Sequence, residues 1–241
     1  MAWTSRLPSR LRRVLDEYGA ANAVLLTLQQ LVRTVAPTAI IERRYIVAQP
    51  VPARPAGIPR RGQHLSVRRL SPGEPALNTV IRVPGDIPDR FAQGAVGFGA
   101  FRGDELLGWL WFIPGAYRDF NDPINVELTP PATTAWDFDI YVRPEARLTA
   151  AFACLWGAAF EAMRVAGVTE TLSEISAFNP ASLGAHRRLG AIVFGSVLML
   201  RLGRFQALCS RSFRPHLQWS LQQTFRARLV IAAPRRITSN I

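Results

Sequence analysis

The chain has 241 residues, 49% of them apolar, and a formal net charge of +12 carried by 29 basic residues that are all Arg. This fills the core of one large domain or two small ones and excludes whole-chain disorder. No apolar run reaches the roughly 18 residues of a membrane span, and two cysteines, Cys154 and Cys209, exclude a disulfide framework or a CxxC metal set.

From Ser9 to Val35 the positions Leu11, Val14, Leu15, Tyr18, Leu25, Leu28, Val32 and Val35 recur at three- and four-residue steps until Pro37. This predicts an amphipathic helix whose apolar stripe packs on its own domain. The same segment turns acidic at Asp16 and Glu17, where a signal peptide would turn apolar. A mature chain in a reducing cytoplasm is therefore expected. "IERRYIVAQPV" predicts a strand, and Pro50, Pro52, Pro55 and Pro59 an extended connector. "HLSVRRL" has strand character, and the stretch up to Gln93 has no firm assignment.

"AVGFGAFRGDELLGWLWFIPG" predicts a hairpin turning at Arg102–Glu105, with "LLGWLWF" buried on both faces. In "TAWDFDIYV", Trp136, Phe138 and Ile140 alternate with Asp137, Asp139 and Tyr141, one face core and the other polar. "RLTAAFACLWGAAFEAMRVAG" predicts a long helix starting near Arg147 and stopped by Gly167. "ETLSEISAF" predicts a strand, "NPASLGAHRRLG" a short helix capped by Asn179, and "AIVFGSVLMLRL" a long strand. The stretch "SFRPHLQWSLQQTFRARLVIAA" suits a helix-strand pair over a sheet edge. Together these predict an α/β fold, a mixed central sheet with a parallel crossover preceded by an amphipathic helix. The expected organisation is an N-terminal helix, strand and connector over 1–63, an α/β domain over 64–203 and a basic extension over 204–241.

Two motifs in order, "IYVRPEAR" and "NPASLGAHRRLGA", and the hairpin before them resemble the GNAT acyl-CoA N-acyltransferase superfamily across residues 64–203. The resemblance implies transfer of an acetyl or longer acyl group from acyl-CoA to a primary amine by direct attack, with no metal. It places backbone groups of Ile140, Tyr141 and Val142 on the pantetheine arm, and Asn179 on the cofactor. It also places the loop Arg147, Leu148, Thr149, Ala150, Ala151 and Phe152 on the pyrophosphate, where exposed helix N–H groups favour an anion. The family's loop carries Gly, then Gly or Ala, where this chain has Ala150 and Phe152. His186 stands where the family often has a Tyr that protonates the leaving thiolate, and imidazole can do the same.

Among the acids near the presumed site, Asp137, Asp139, Glu127 and Glu174, the preferred general bases are Asp139 and Glu174 on adjacent strands. A second reading is a GNAT-like binding or regulatory module that has lost turnover. Residues 1–63 carry +7, 64–200 carry −3 and 201–241 carry +8. Such flanks suit an acidic carrier protein or an anionic surface. Nucleic acid is the weaker expectation, because the aromatics among the C-terminal Arg residues show no stacking pattern. His64, His186 and His216 are too scattered to predict a metal site.

Overall fold

The computed structural model describes residues 15–54, 64–79, 85–120, 122, 124–147 and 150–234. The chain forms two compact units, Met1–Val47 with Glu174–Leu229, and Ala48–Ser173 with Val230–Ile241. The part of the first expected helix before Leu15 and the connector at 55–63 lie outside the described residues.

In the first unit, helix α1 (Ala20–Val35) begins after Gly19, whose φ of 75° breaks the regular turn. The expected burial of its stripe is corrected. Asn22 and Ala23 are its buried residues, whereas Leu28 is 44% and Val35 85% exposed. The helix is apolar on more than one side, so only part of that surface faces its unit. The unit also contains most of strand β1 (Ile40–Pro50), the end of β8 (Glu170–Ser176), helix α4 (Pro180–Arg188), β9 (Ile192–Leu202), β10 (Phe205–Ser210) and β11 (Leu217–Ser220). Its strand order is β11-β10-β9-β1-β8. The C-terminal stretch expected to contain a helix instead supplies two strands, β11 and β12 (Ala227–Ala232). Pairing of Cys209 with Leu217 and Gln206 with Ser220 extends the sheet and satisfies backbone groups that a helix would have left on β10.

The second unit has the order β8-β7-β4-β3-β2. These are β2 (Ser66–Arg69), β3 (Val96–Arg102), β4 (Glu105–Pro114), β7 (Thr134–Val142) and the start of β8. The β3–β4 hairpin turns at Gly103, with φ 59°, and β4 is buried from Leu106 to Ile113, as its unbroken apolar run requires. Helix α3 (Ala151–Val165) packs across β3 and β4 and links β7 to its parallel neighbour β8. The mixed α/β sheet with a parallel crossover is thus present. Gly167, with φ 76°, ends α3 as expected, but the helix starts at Ala151, after a 3-10 turn at Pro144–Ala146, and not near Arg147. Pro144 fixes that turn and holds Arg147 short of the helix.

Trp111, Trp136 and Trp156 are fully buried in this unit. Each removes roughly 150–250 Å² from water, worth on the order of 4–6 kcal/mol at about 25 cal/mol/Å². The segment without a firm assignment contains a 3-10 turn, Pro75–Thr79, and helix α2, Asp86–Ala92. Two short strands, β5 (Ala116–Arg118) and β6 (Ile124–Thr129), pair antiparallel beside this core.

Candidate active site

The expected alternation along β7 fails at one residue. Opposite β4, Trp109 faces Tyr141 and Trp111 faces Phe138, so Leu110 stands against both Asp139 and Ile140. The additional residue is a bulge on β7, and Asp139 takes a φ of 49°. A left-handed non-glycine residue costs roughly 1–2 kcal/mol, and Asp tolerates it better than most. The bulge shifts the side-chain phase. Phe138 stacks on Tyr117 with centroids 4.0 Å apart, and Tyr141 stacks on Trp109 at 4.6 Å. Asp137 is not on a solvated face either, since it is 3% exposed and accepts a hydrogen bond from the Thr171 hydroxyl at 2.7 Å.

Gly108 is required opposite this point. A Cβ there would lie 2.5 Å from the Tyr141 carbonyl oxygen. On the other edge, β7 pairs with β8 only through Thr134–Trp136 against Glu170–Leu172. From Asp137 to Val142, β7 keeps its ladder with β4 but forms none with β8 among the described residues. Ile140, Tyr141 and Val142 lie on this stretch.

Asp139 does not stand alone on this stretch. Its Oδ2 accepts from Arg90 Nη1 at 2.5 Å and from Trp109 Nε1 at 3.0 Å. Arg90 also forks onto Asp86, Nε to Oδ1 at 3.1 Å and Nη2 to Oδ2 at 3.0 Å. The guanidinium lies over the neighbouring rings of Trp111 and Phe138. Burial weakens its charge, but Asp139 and Asp86 outweigh that and hold Arg90 above its ordinary value. Exposure rises from 1% at the Asp86 side chain and 4% at Arg90 to 20% at Asp139, so Asp139 is the accessible end of this cluster. Nearby, burial and then Asp119 push the Tyr117 phenol far above its usual range.

Arg90, Asp86 and Trp109 are site residues that sequence reasoning missed. The signal was the i,i+4 spacing of Asp86 and Arg90, hidden in a stretch rich in Pro and Gly.

The remaining expected residues fall in two groups. In the second unit, Tyr141 is exposed, and Ile140 and Val142 are half-buried on the open stretch of β7. Arg147 folds back with Nε donating to the Val142 carbonyl at 3.3 Å. Leu148 and Thr149 lie outside the described residues. Ala150 caps α3 with no side-chain hydrogen bond, Ala151 is buried, and Phe152 sets its ring edge-on to Trp156.

In the first unit, Asn179 caps α4 as expected, its Oδ1 accepting from Ser182 N at 3.1 Å. His186 is buried at 2% exposure, and its Nδ1 donates to the Ser182 carbonyl at 2.9 Å, which fixes the tautomer. Glu174 accepts from Arg44 Nη1 at 2.7 Å. Asp139 and Glu174, the preferred pair of bases, therefore belong to different units and each is held by an arginine. Glu127 lies half-buried on β6. Cys154 is buried in α3, and burial pushes its thiol up.

No family model and no curated protein matches the chain. Among solved structures it is similar to a tandem GNAT protein from the clavulanic acid biosynthesis pathway, at 15% identity over 70% of this chain and 56% of that one, TM-score 0.47. It is similar to a GCN5-related N-acetyltransferase from Kribbella flavida, at 11% identity over 72% and 62%, TM-score 0.41. A third similarity is to AAC(6')-Iy in complex with the bisubstrate analog CoA-S-monomethyl-acetylneamine, at 19% identity over 53% and 90%, TM-score 0.40. The chain spans little more than half the length of the first of these. None reaches a TM-score of 0.5, so the functional case rests on the geometry of this chain.

Proposed function

We propose that the chain is a GNAT-like N-acyltransferase that takes an acyl group from acyl-CoA and passes it to a primary amine by direct attack. The observation that carries this reading is the stretch of β7 beyond Trp136, unladdered toward β8 and bulged at Asp139. An extended pantetheine arm can add to that edge as a short strand would, bonding backbone groups of Ile140, Tyr141 and Val142. A free N–H there polarises the thioester carbonyl and stabilises the oxyanion that forms on it. At the end of β7, Arg147 with Ala150, Ala151 and Phe152 forms the entry to α3. The positive end of the helix dipole at that entry suits the pyrophosphate.

The Asp139 carboxylate, at the accessible end of the cluster, favours a cationic acceptor, which fits an amine better than an alcohol. With Oδ2 taken by two donors, Asp139 serves best to hold the ammonium and accept its proton through water. For the first unit, the resemblance to the family suggests Glu174 as a further base, Asn179 as a cofactor contact and His186 as a proton donor, each to be tested by its own substitution. CoA is a donor substrate in this scheme, and the chemistry draws on no metal.

The test is thiol release from acetyl-CoA and a longer acyl-CoA with primary amines and matched alcohols. Release that depends on the amine, and falls at least tenfold in Asp139→Asn with little change in the KM for acyl-CoA, supports the reading. His186→Phe should lower kcat in the same assay. A chain that binds acyl-CoA but releases no thiol with any amine is instead a binding or regulatory module, which the arginine-held Asp139 and Glu174 would then favour.

A further inference from the structure

We propose that the first unit holds a second ligand site, a cavity that binds a small organic phosphate. The cavity, of about 590 Å³, is lined by residues of β1, β9, β10 and the loop that follows β10.

Arg43 and Arg44 are neighbours on β1 with opposite surroundings. Arg44 is neutralised twice, by Glu42 at 3.0 Å and Glu174 at 2.7 Å. Arg43 lines the cavity and, among the described residues, pairs with no carboxylate. Its Nη1 donates to the Asn22 side-chain oxygen at 3.2 Å. Asn22 is buried, and its Nδ2 donates to the Tyr18 carbonyl at 2.9 Å and the Tyr45 hydroxyl at 2.8 Å. Those two bonds fix the amide so that its oxygen faces the guanidinium. A half-buried cation is thus positioned by neutral groups with its charge left for another partner.

A second arginine and a histidine line the same cavity. Arg211 lines the cavity and has no carboxylate partner among the described residues. His216 Nδ1 donates to the Ser210 carbonyl at 3.0 Å while Ser210 N donates to the His216 carbonyl at 2.8 Å, which leaves Nε2 for a ligand. The loop carrying both is anchored. Phe213 N and Ser212 N donate to Ser210 Oγ at 3.1 Å each, and Phe213 is buried so close to β9 that a Cβ at Gly195 would lie 2.3 Å from its ring.

Among the described residues, no acid lines the cavity. Two guanidinium forks suit the planar sets of oxygens on a phosphoryl group. The volume exceeds what a bare ion needs and falls within the range of about 300–1,000 Å³ that holds organic ligands, with Leu198 and Cys209 available to the ligand body. Arg43 comes from the basic N-terminal flank and Arg211 from the basic C-terminal flank, so part of the charge asymmetry in the sequence has a local use.

The test is calorimetric titration of the full chain, without CoA, at fixed ionic strength, with inorganic phosphate, glucose 6-phosphate, glucose and citrate. The expected result is saturable binding of glucose 6-phosphate, weaker binding of phosphate and none of glucose. Arg43→Gln and Arg211→Gln should each weaken binding tenfold or more. Arg204→Gln, at an exposed turn outside the cavity, should change it less than twofold. Arg211 is exposed, so its variant keeps the fold and remains informative if Arg43→Gln does not. The proposal is overturned if neither phosphate nor its ester binds at millimolar concentration, or if citrate binds more tightly. Equal loss in Arg204→Gln, the signature of net charge alone, also overturns it.

Discussion

The two arginine centres of this molecule use the same side chain in opposite ways. In the second unit, Arg90 is buried, pairs with Asp86 and Asp139 and lies over two aromatic rings, so its charge is compensated within the fold. In the first unit, Arg43 and Arg211 line a cavity with no described carboxylate partner and leave positive charge available. The charge is closed off in one place and left for a ligand in the other. A guanidinium that outside ligands cannot reach organises the site around it, whereas one left uncompensated at a cavity wall invites an anion.

The largest expected effect comes from breaking the cancelled centre. Arg90→Ala leaves two carboxylates facing each other in a buried setting and should cost roughly 3–5 kcal/mol, read as a lower urea midpoint. A loss below about 1 kcal/mol would mean that the cluster is better hydrated than its burial indicates. Next comes Gly108→Ala, which forces a Cβ against the Tyr141 carbonyl and should destabilise by about 1–3 kcal/mol while weakening acyl-CoA binding. Asn179→Ala removes the cap of α4 and should cost about 1 kcal/mol in the same denaturation series. Arg211→Gln should change stability by no more than about 0.5 kcal/mol, because nothing in the fold depends on its charge.

Tyr117 supplies a pH signature. The folded chain holds its phenolic proton more tightly than the unfolded chain does, so its contribution is intact below about pH 10 and is lost as pH rises above that value. Ultraviolet titration should show one tyrosine that ionises only on unfolding, and Tyr117→Phe should abolish that step.

Much of the framework was legible in the sequence because its signals are local. The β3–β4 turn, the apolar stripe of α3 with its Gly167 stop, and the Asn179-Pro180 start of α4 each lie within one element. What the sequence concealed depends on partners far along the chain. The bulge at Asp139 exists because β4 brings one residue against two, and nothing in "TAWDFDIYV" marks it. Arg90 meets Asp139 only through tertiary packing, and the Arg43–Arg211 cavity joins the two ends of the chain. The strand at Leu217–Ser220, in the half of the C-terminal stretch expected to be a helix, was missed for a related reason, since its pairing with a neighbour and not its composition decides its form.

The central claim is that β7 beyond Trp136 binds the acyl donor. Calorimetric titration with acetyl-CoA, beside a melting curve at saturation, tests it most directly. The expected result is one saturable site, with a stability gain of roughly 2.7 kcal/mol at about 100 times the Kd, that Gly108→Ala weakens and Arg211→Gln leaves unchanged. No heat and no shift with acetyl-CoA, a longer acyl-CoA or free CoA would contradict it.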